Sequence, residues 1–392
     1  MAAKAVANSM SPQQQNILAR NIVIQNSVNA IRQIFQTSFT TGPGTVLNIP
    51  LQNVGIIKRL WVKVAATITG TGGGPTHTLT TLGGSTFFSN VALTDLSNQF
   101  RVNTSSVHLT AVATAKARVP YGSSIVSAST DTPFGYGNNF LTTQQAPASI
   151  NAVVATNNTF LYFEVPLAYS DNDLRGSLYA GVVNATMNLQ LTVNPQLFVG
   201  NTADATFSMY QSSTGVVATM PACQITVYQN YLDQLPIGQK GGPILPLMDL
   251  GTAYLLNQTV FSGITQNQDN PFPYPNFRDI LSTYFIYDNN STLNAGTDIA
   301  QLSIQSANFT NIVKYDPSLA SLFARTRMQA DFPKGTYYID TRDKPISTVQ
   351  FGNMALLFNP SSVASAAASV TVFYESLAII NQVTNAGSLA GS

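Results

Sequence analysis

The 392-residue chain holds two histidines, His77 and His108, and one cysteine, Cys223. Proton-transfer, nucleophilic or metal chemistry would have to draw on these and on 17 carboxylates. A hydrolytic triad needs a histidine held by an oriented carboxylate, and a zinc centre needs several nitrogen or sulfur ligands. No G-x-S-x-G, HExxH or Walker motif accompanies either histidine, and both stand in Thr-rich segments that read as strands. A single cysteine forms no intrachain disulfide and no Cys₂-type zinc site, so Cys223 reads as a small buried hydrophobe beside a strand. The carboxylates gather at Asp171-Asn172-Asp173 and at Asp331, Asp340 and Asp343. Paired acids can hydrolyse glycosides across a cleft. Here Arg342 and Lys344 interleave with the second group, which predicts loop ion pairs, and the first group reads as an Asx-type turn. Asp288-Asn289-Asn290 lacks the acidic and glycine positions of a calcium loop. Gly72-Gly73-Gly74-Pro75 and Gly83-Gly84 precede no helix and read as loops, not phosphate cradles. The glycosylation-type triplets beginning at Asn103, Asn157, Asn184, Asn257, Asn289, Asn290 and Asn308 are chance matches in so Asn/Ser/Thr-rich a chain. No catalytic residue, metal or cofactor is expected.

The elements that would carry these residues are mostly strands. Leu60, Val62, Val64, Ala66 and Ile68 alternate with Trp61, Lys63, Ala65 and Thr67, and Met187, Leu189, Leu191 and Val193 alternate with polar residues. Leu281, Thr283, Phe285 and Tyr287 share one face, as do Val370, Val372 and Tyr374. A period of two between long Gly/Asn/Pro loops predicts half-buried strands of a sandwich or jelly roll, and the absence of βαβ alternation argues against a parallel sheet. Ser11-Pro12 opens an N-terminal helix whose face is Ile17, Ile24, Val28, Ile31 and Phe35, with Arg20 and Arg32 on the remainder. Such a helix packs on its own sheet, on a neighbour or on a membrane surface. A second helix begins at Asp316-Pro317, carries Leu319, Leu322, Phe323 and Met328, and stops at Asp331-Phe332-Pro333. The stretch Thr226–Leu250 starts as a strand and then breaks at Pro236, Gly238, Gly241-Gly242-Pro243 and Pro246, a hinge that no strand or helix runs through. Leu161-Tyr162-Phe163-Glu164 leading to Val193-Asn194-Pro195 is echoed by Tyr337-Tyr338-Ile339-Asp340 leading to Phe358-Asn359-Pro360, a hint of duplication.

Only 9% of residues are charged, against about 25% in an average soluble protein. A neutral polar surface repels its own copies weakly and suits self-association, though a secreted polar β-protein shares the composition. Net charge is +1 but uneven. Lys4, Arg20, Arg32, Lys58, Arg59 and Lys63 precede the first acid, Asp95, giving +6 at the N-terminal end; the remaining 12 basic and 17 acidic residues give −5. A basic arm favours phosphate-bearing neighbours, either lipid headgroups or nucleic acid. Met1–Met10 lacks the apolar core of a signal peptide, and the most apolar run, Val363–Ile380, contains Glu375 and alternates like a strand. A soluble chain made in a reducing cytoplasm is expected.

Several stretches resemble the major capsid protein of tectiviruses, tailless icosahedral bacteriophages with an internal membrane. They are YLDQLP-x-GQ at Tyr231–Gln239, ILPL-x-DL at Ile244–Leu250, NAGTDI at Asn294–Ile299, and DFPKG with RDKP between Asp331 and Pro345. VPLAYS at Val165–Ser170 and NVGI-x-K at Asn53–Lys58 extend it upstream. The resemblance implies an all-β double jelly roll, two tandem eight-stranded barrels with an N-terminal helix and short loop helices. The expected division is a helical arm over 1–40, a first jelly roll over 41–240, a second over 241–384 and a flexible tail over 385–392. Pro236, Gly241, Gly242, Pro243 and Pro246 would form the inter-barrel hinge. The resemblance also implies homotrimers of nearly hexagonal outline that build a virion shell with vertex and minor capsid proteins. The N-terminal helix would lie toward the internal membrane, with Lys4, Arg20 and Arg32 facing inward and no sequence-specific contact to nucleic acid. The alternative is a receptor- or carbohydrate-binding β-sandwich of a spike, which would need an aromatic platform or acidic pocket at one loop end. A glycosidase on the same fold would need two carboxylates in one cleft.

Overall fold

The computed structural model describes residues 10–40, 42–70, 77–117, 144–146, 149–150, 157–182, 186–199, 206–212, 218–239, 241–289, 293, 299–306, 312–328, 332–333, 335–363 and 368–379. After helix α1 (Pro12–Asn26), the first barrel is built from β1 (Val28–Phe39), β2 (Val46–Pro50), β3 (Ile56–Gly70), β4 (Phe88–Thr94), β5 (Phe100–Thr104), β6 (Asn157–Pro166), β7 (Asn188–Val193) and β8 (Ala218–Asp233). Helix α2 (Ser106–Ala117) stands between β5 and β6. A four-residue helix, α3 (Leu247–Leu250), leads into β9 (Thr252–Ser262), β10 (Asn270–Pro273), β11 (Asp279–Asp288), β12 (Ile299–Ser306) and β13 (Val313–Tyr315). Then come α4 (Pro317–Met328), β14 (Thr336–Asp340), α5 (Thr348–Phe351), β15 (Met354–Pro360) and β16 (Ser369–Ile379). Very short strands extend some of the sheets.

The two barrels share one topology. The first pairs its strands as β1-β8-β3-β6 and β2-β7-β4-β5, the second as β9-β16-β11-β14 and β10-β15-β12-β13. Each strand of the second set stands eight places after its counterpart in the first, so the chain runs the same jelly-roll path twice. The sequence echo falls on this correspondence: its aromatic ends lie on β6 and β14, and its Asn-Pro ends close β7 and β15 or directly follow them. Helices α2 and α4 are counterparts as well, each joining the fifth strand of its barrel to the sixth.

Alternation places the cores where the sequence puts them. The even-numbered apolar residues of β3, from Leu60 to Ile68, face Leu161, Phe163 and Val165 of β6 and Leu189 and Leu191 of β7 inside the first barrel. Phe285 and Tyr287 of β11, Val370 and Val372 of β16, and Leu356 and Phe358 of β15 fill the second. At roughly 25 cal/mol per Å² of buried apolar surface, such interiors supply the main drive for folding.

Three expectations are corrected. First, α1 stops at Asn26; Ser11 is its N-cap as expected, in a capping box completed by Gln14, but Val28, Ile31 and Phe35 lie on β1, not on one helical face. β1 pairs antiparallel with β8 from Val28↔Asp233 to Phe39↔Cys223, so the first barrel starts near residue 28 and not at 41. The long ladder offered by β8 outweighs the local helical spacing, because tertiary pairing routinely overrides local propensity. Second, His108 stands on α2, not on a strand. Third, the Gly83-Gly84 loop is a single 3₁₀ turn.

Helix α2 was hidden because it is apolar on two sides. Leu109 and Val112 join the first barrel's core, while Val107, Ala111 and Ala115, spaced by four, pack on Tyr284, Ile286, Tyr338 and Phe373 of the second barrel. The sheet β9-β16-β11-β14 is therefore buried on both faces, which is why β11 shows buried residues at every position from Ile280 to Tyr287 instead of alternating. The barrels are also joined edge to edge. β5 and β9 pair in parallel through Val102↔Leu256 and Asn103↔Asn257, making one continuous sheet across both.

Candidate functional site

Among the described residues, one cluster of titratable groups lies at the seam between the barrels. Glu375, on β16, is fully buried. It accepts hydrogen bonds from Ser282 Oγ (2.5 Å), the Tyr254 hydroxyl and the Arg342 guanidinium. Arg342 Nη1 also bridges to Asp340 at 2.9 Å, and the Tyr338 hydroxyl donates to Ser282 Oγ at 2.8 Å. From the first barrel, α2 brings Lys116 Nζ to 3.9 Å from Glu375 and 4.6 Å from the centre of the Tyr254 ring. Burial on its own would raise the Glu375 carboxyl; the charges of Arg342 and then Lys116 outweigh it and hold the group at about 2. For Arg342, burial is the largest single influence and pulls down, but Glu375, Tyr338, Asp340 and Tyr254 together pull up harder, so the guanidinium stays charged. Burial pulls the Lys116 ammonium down, against Glu375. His108, two turns earlier on α2, is fully buried against the Phe373 ring, with Nδ1 3.0 Å from Thr104 Oγ1, and burial lowers it to about 3. It is neutral at physiological pH and part of the packing.

A second cluster ties α1 to both barrels at the hinge. Arg20 donates from Nε and Nη2 to the two oxygens of Asp249 (2.6 and 2.7 Å) and lies 3.8 Å from Asp173. Asn16 donates to Asp249 at 2.8 Å and accepts from the Met248 amide at 2.9 Å. Val23 is buried among Ile56, Leu174, Leu232 and Leu250. The hydrogen bond to Asp249, against burial, raises Arg20. A bidentate pair of this kind fixes orientation as well as charge. Arg20 is thus a clamp within the chain. Arg32 lies exposed on β1, and Lys4 falls outside the described residues.

The remaining chemical candidates are paired with neighbouring charges or buried in the packing. The Asp171-Asn172-Asp173 turn forms through a Ser170↔Asp173 bridge. Asp171 pairs with Arg59 and Lys58, and Asp173 pairs with Arg175 at 2.7 Å. Both carboxyls are lowered, burial opposing their basic partners. His77 is buried on the short strand His77–Leu79. Burial raises the Cys223 thiol to about 12, which makes it a poor nucleophile. Asp331 and Asn290 fall outside the described residues. Sequence reasoning missed Glu375, Asp249 and the buried pair Arg101–Asp95 (2.7 Å). The available signal for Glu375 was a lone acid inside an apolar alternation, a position where a charge persists only if paired.

The hinge is a compact turn. Ile237 bridges Pro243, the Gly238 amide donates to Gly242 O (2.8 Å), the Gly241 amide to Gly238 O (3.0 Å), and the Ile244 amide to Pro236 O (2.8 Å). Gly241 takes φ +82°, and Pro246 immediately precedes α3.

Two tandem barrels of identical strand order, joined by a continuous sheet and cross-braced by buried ion pairs, define a double jelly roll of the viral coat-protein kind. Solved structures share that fold. The MCP of Sulfolobus Turreted Icosahedral Virus matches with a TM-score of 0.64 at 11% identity, covering 90% of this chain and 97% of its own. PBCV-1 VP54 matches with a TM-score of 0.54 at 12% identity, over 90% and 94%. In sequence, residues 1–235 match the P3 major capsid protein N-terminal family and residues 251–391 the P3 major capsid protein C-terminal family. The major capsid protein P3 of Enterobacteria phage PRD1 is 38% identical over 391 residues, covering 99% of this chain and 97% of the relative. The chain belongs to the P3 major capsid protein family: it is a coat protein of a bacteriophage, located in the capsid shell of the virion.

Proposed function

We propose that the chain builds this shell as homotrimers, with no catalytic step of its own. The carrying observation is the repeated barrel: two copies of one strand order side by side give three chains six similar corners, which tile a facet without six identical environments. The seam supports a rigid building block. Its buried charges meet one another and not a cleft, and Glu375 and Asp249 each hold parts of the chain far apart in sequence. The hinge of Pro236, Gly241, Gly242, Pro243 and Pro246 is read as the turn that sets the second barrel beside the first.

The N-terminal helix is assigned to the inner face of the shell, toward the internal membrane that the resemblance implies. Ile17 and Leu18 on α1 are exposed, as are Leu247 and Met248 on α3, and the Asn16–Met248 hydrogen bond places the two helices together. Lys4 and Arg32 remain the basic residues assigned to that face, and vertex and minor capsid proteins the further partners. Sedimentation of the purified chain at micromolar concentration tests the reading: trimers are expected, and a chain that stays monomeric while folded contradicts it. Flotation with phosphatidylglycerol vesicles tests the membrane assignment. Ile17→Ser with Leu18→Ser should reduce co-flotation several-fold, and an unchanged fraction would remove α1 from that role.

A further inference from the structure

On the face of the joined sheet opposite Glu375, buried polar groups gather without partners. The parallel register Val102↔Leu256 and Asn103↔Asn257 sets Arg101 of β5 beside Leu255 of β9. Leu255 in turn pairs with Ser376 of β16, and Asn257 with Tyr374. Paired residues point to the same face of a sheet, so Arg101, Asn103, Asn257, Tyr374 and Ser376 share one. Arg101 is 1% exposed, Tyr374 2% and Ser376 0%. Asp95 accepts from Arg101 Nε at 2.7 Å, but Arg101 Nη1 and Nη2, the Tyr374 hydroxyl and Ser376 Oγ have no hydrogen-bond partner. The other Asp95 oxygen is taken by the Ser97 and Gln99 amides, at 2.8 and 3.1 Å. Arg278, half-buried just before β11, reaches the same face. Its Nη1 donates to the Asn257 side-chain oxygen at 2.7 Å, in the amide orientation that satisfies both groups. Among the described residues, no carboxylate pairs with Arg278.

Buried polar groups are ordinarily satisfied, and a buried guanidinium with two unpartnered nitrogens is among the costliest exceptions. Here the surplus is of donors. Two guanidiniums against the one Asp95 carboxylate leave a positive charge, and guanidinium nitrogens can only donate. A planar fork flanked by hydroxyls is the arrangement that recognises an oxyanion. We propose that this face binds a phosphate group: Arg101 Nη1 and Nη2 hold its oxygens from the buried side, Arg278 from the solvent side, and the Tyr374 and Ser376 hydroxyls donate from the flank. Exposed Asn103 and half-exposed Asn257 and Arg278 border the way in. Arg101 comes from the first barrel and the other groups from the second, so the site exists only where the barrels are joined. It opens at the end of the second barrel where α3 enters β9, since Thr252 pairs with Ile379 and Asp279 with Leu377, and α1 packs at that same end. A free phosphate ion and the phosphodiester of a lipid headgroup both carry this chemistry.

Calorimetric titration of the full chain with inorganic phosphate, at constant ionic strength, should show saturable binding of one phosphate per chain. Arg278→Gln, at a half-exposed position, should keep the wild-type circular dichroism and weaken binding at least about tenfold. Tyr374→Phe removes a hydroxyl that has no partner in the unliganded chain. It should therefore melt no lower than wild type without phosphate, yet bind phosphate more weakly. The deacylated headgroup of phosphatidylglycerol, titrated in parallel, identifies the source. Binding as tight as that of phosphate assigns a lipid phosphodiester, and much weaker binding assigns the free ion. No saturable heat from the wild-type chain would overturn the proposal, because water alone would then satisfy these groups. Phosphate affinity unchanged in both variants would overturn it equally.

Discussion

Glu375 illustrates what one buried charge can do. It is fully buried, and three of its contacts, Arg342, Ser282 and Lys116, come from elements that meet only in the folded state. Glu375→Gln leaves the Arg342 and Lys116 charges without their partner, so a loss of about 3–5 kcal/mol is expected in urea unfolding, the range for breaking a buried pair from one side. A loss under 1 kcal/mol would mean that the seam is more hydrated than its burial implies. The pH dependence follows from the same cluster. Glu375 sits at about 2 against an ordinary 4.5, so its contribution is complete above pH 4.5 and is lost as pH falls toward 2. His108 sits at about 3 against 6.5. The unfolded chain takes up that proton first, so stability is again lost as pH falls, beginning near pH 6.5. The urea midpoint of the wild-type chain should therefore decline between pH 6.5 and 4.5, and His108→Gln should flatten that interval while leaving the steeper decline below it. A wild-type midpoint constant across the interval would show that His108 is protonated in the folded state.

At the scale of elements, the turns separate glycines that are needed from glycines that are convenient. Gly55 has φ +52°, and a Cβ there would stand 1.9 Å from Leu232 O, at the junction of β3 with β8 beneath α1. Gly241, in the hinge, has φ +82° but open space around it. Gly55→Ala should prevent folding or lower the melting temperature drastically, whereas Gly241→Ala should cost only about 1 kcal/mol, the backbone term alone. Equal effects of the two would mean that the hinge is as tightly determined as the barrel base. The elements also show how far local pattern reaches. The caps of α1 and α4 were legible, since Ser11 with Gln14 and Asp316 with Leu319 are chemistry between near neighbours. The end of α1 was not, because Val28–Phe39 joins a ladder with β8, about 200 residues away. Nor was α2, whose Val, Thr and Ala residues carry no single polar face; two barrels press on it, and neither is visible from its own twelve residues.

At the scale of the molecule, the seam makes the two barrels one folding unit. The second barrel on its own would bare Tyr284, Ile286, Tyr338 and Phe373, which α2 of the first barrel covers. A contiguous patch of that kind drives aggregation. Residues 251–392 expressed alone should be insoluble or associate non-specifically, while cleavage of the full chain at a protease site placed between Gly241 and Gly242 should leave the barrels together in gel filtration. A soluble, monomeric, cooperatively melting second barrel would show that the seam is an accessory and not part of its core.

The amino-acid sequence by itself determined the all-β class, the inner faces of the strands, the caps of two helices and the break near residue 240, because each rests on a period of two or on chemistry within a few residues. The tandem barrels and the coat role were legible through resemblance, and the repeated strand order explains the faint echo between Leu161–Pro195 and Tyr337–Pro360. Tertiary structure alone decided where the charges go. Arg20 reaches Asp249 and not solvent, and Lys116 reaches Glu375, because ion pairing depends on distance in space and carries no periodic signature along the chain. It also decided which sheet face is covered. The outer faces of both barrels begin from the same strand order, and only the packing of α2 makes one of them core and leaves the other open.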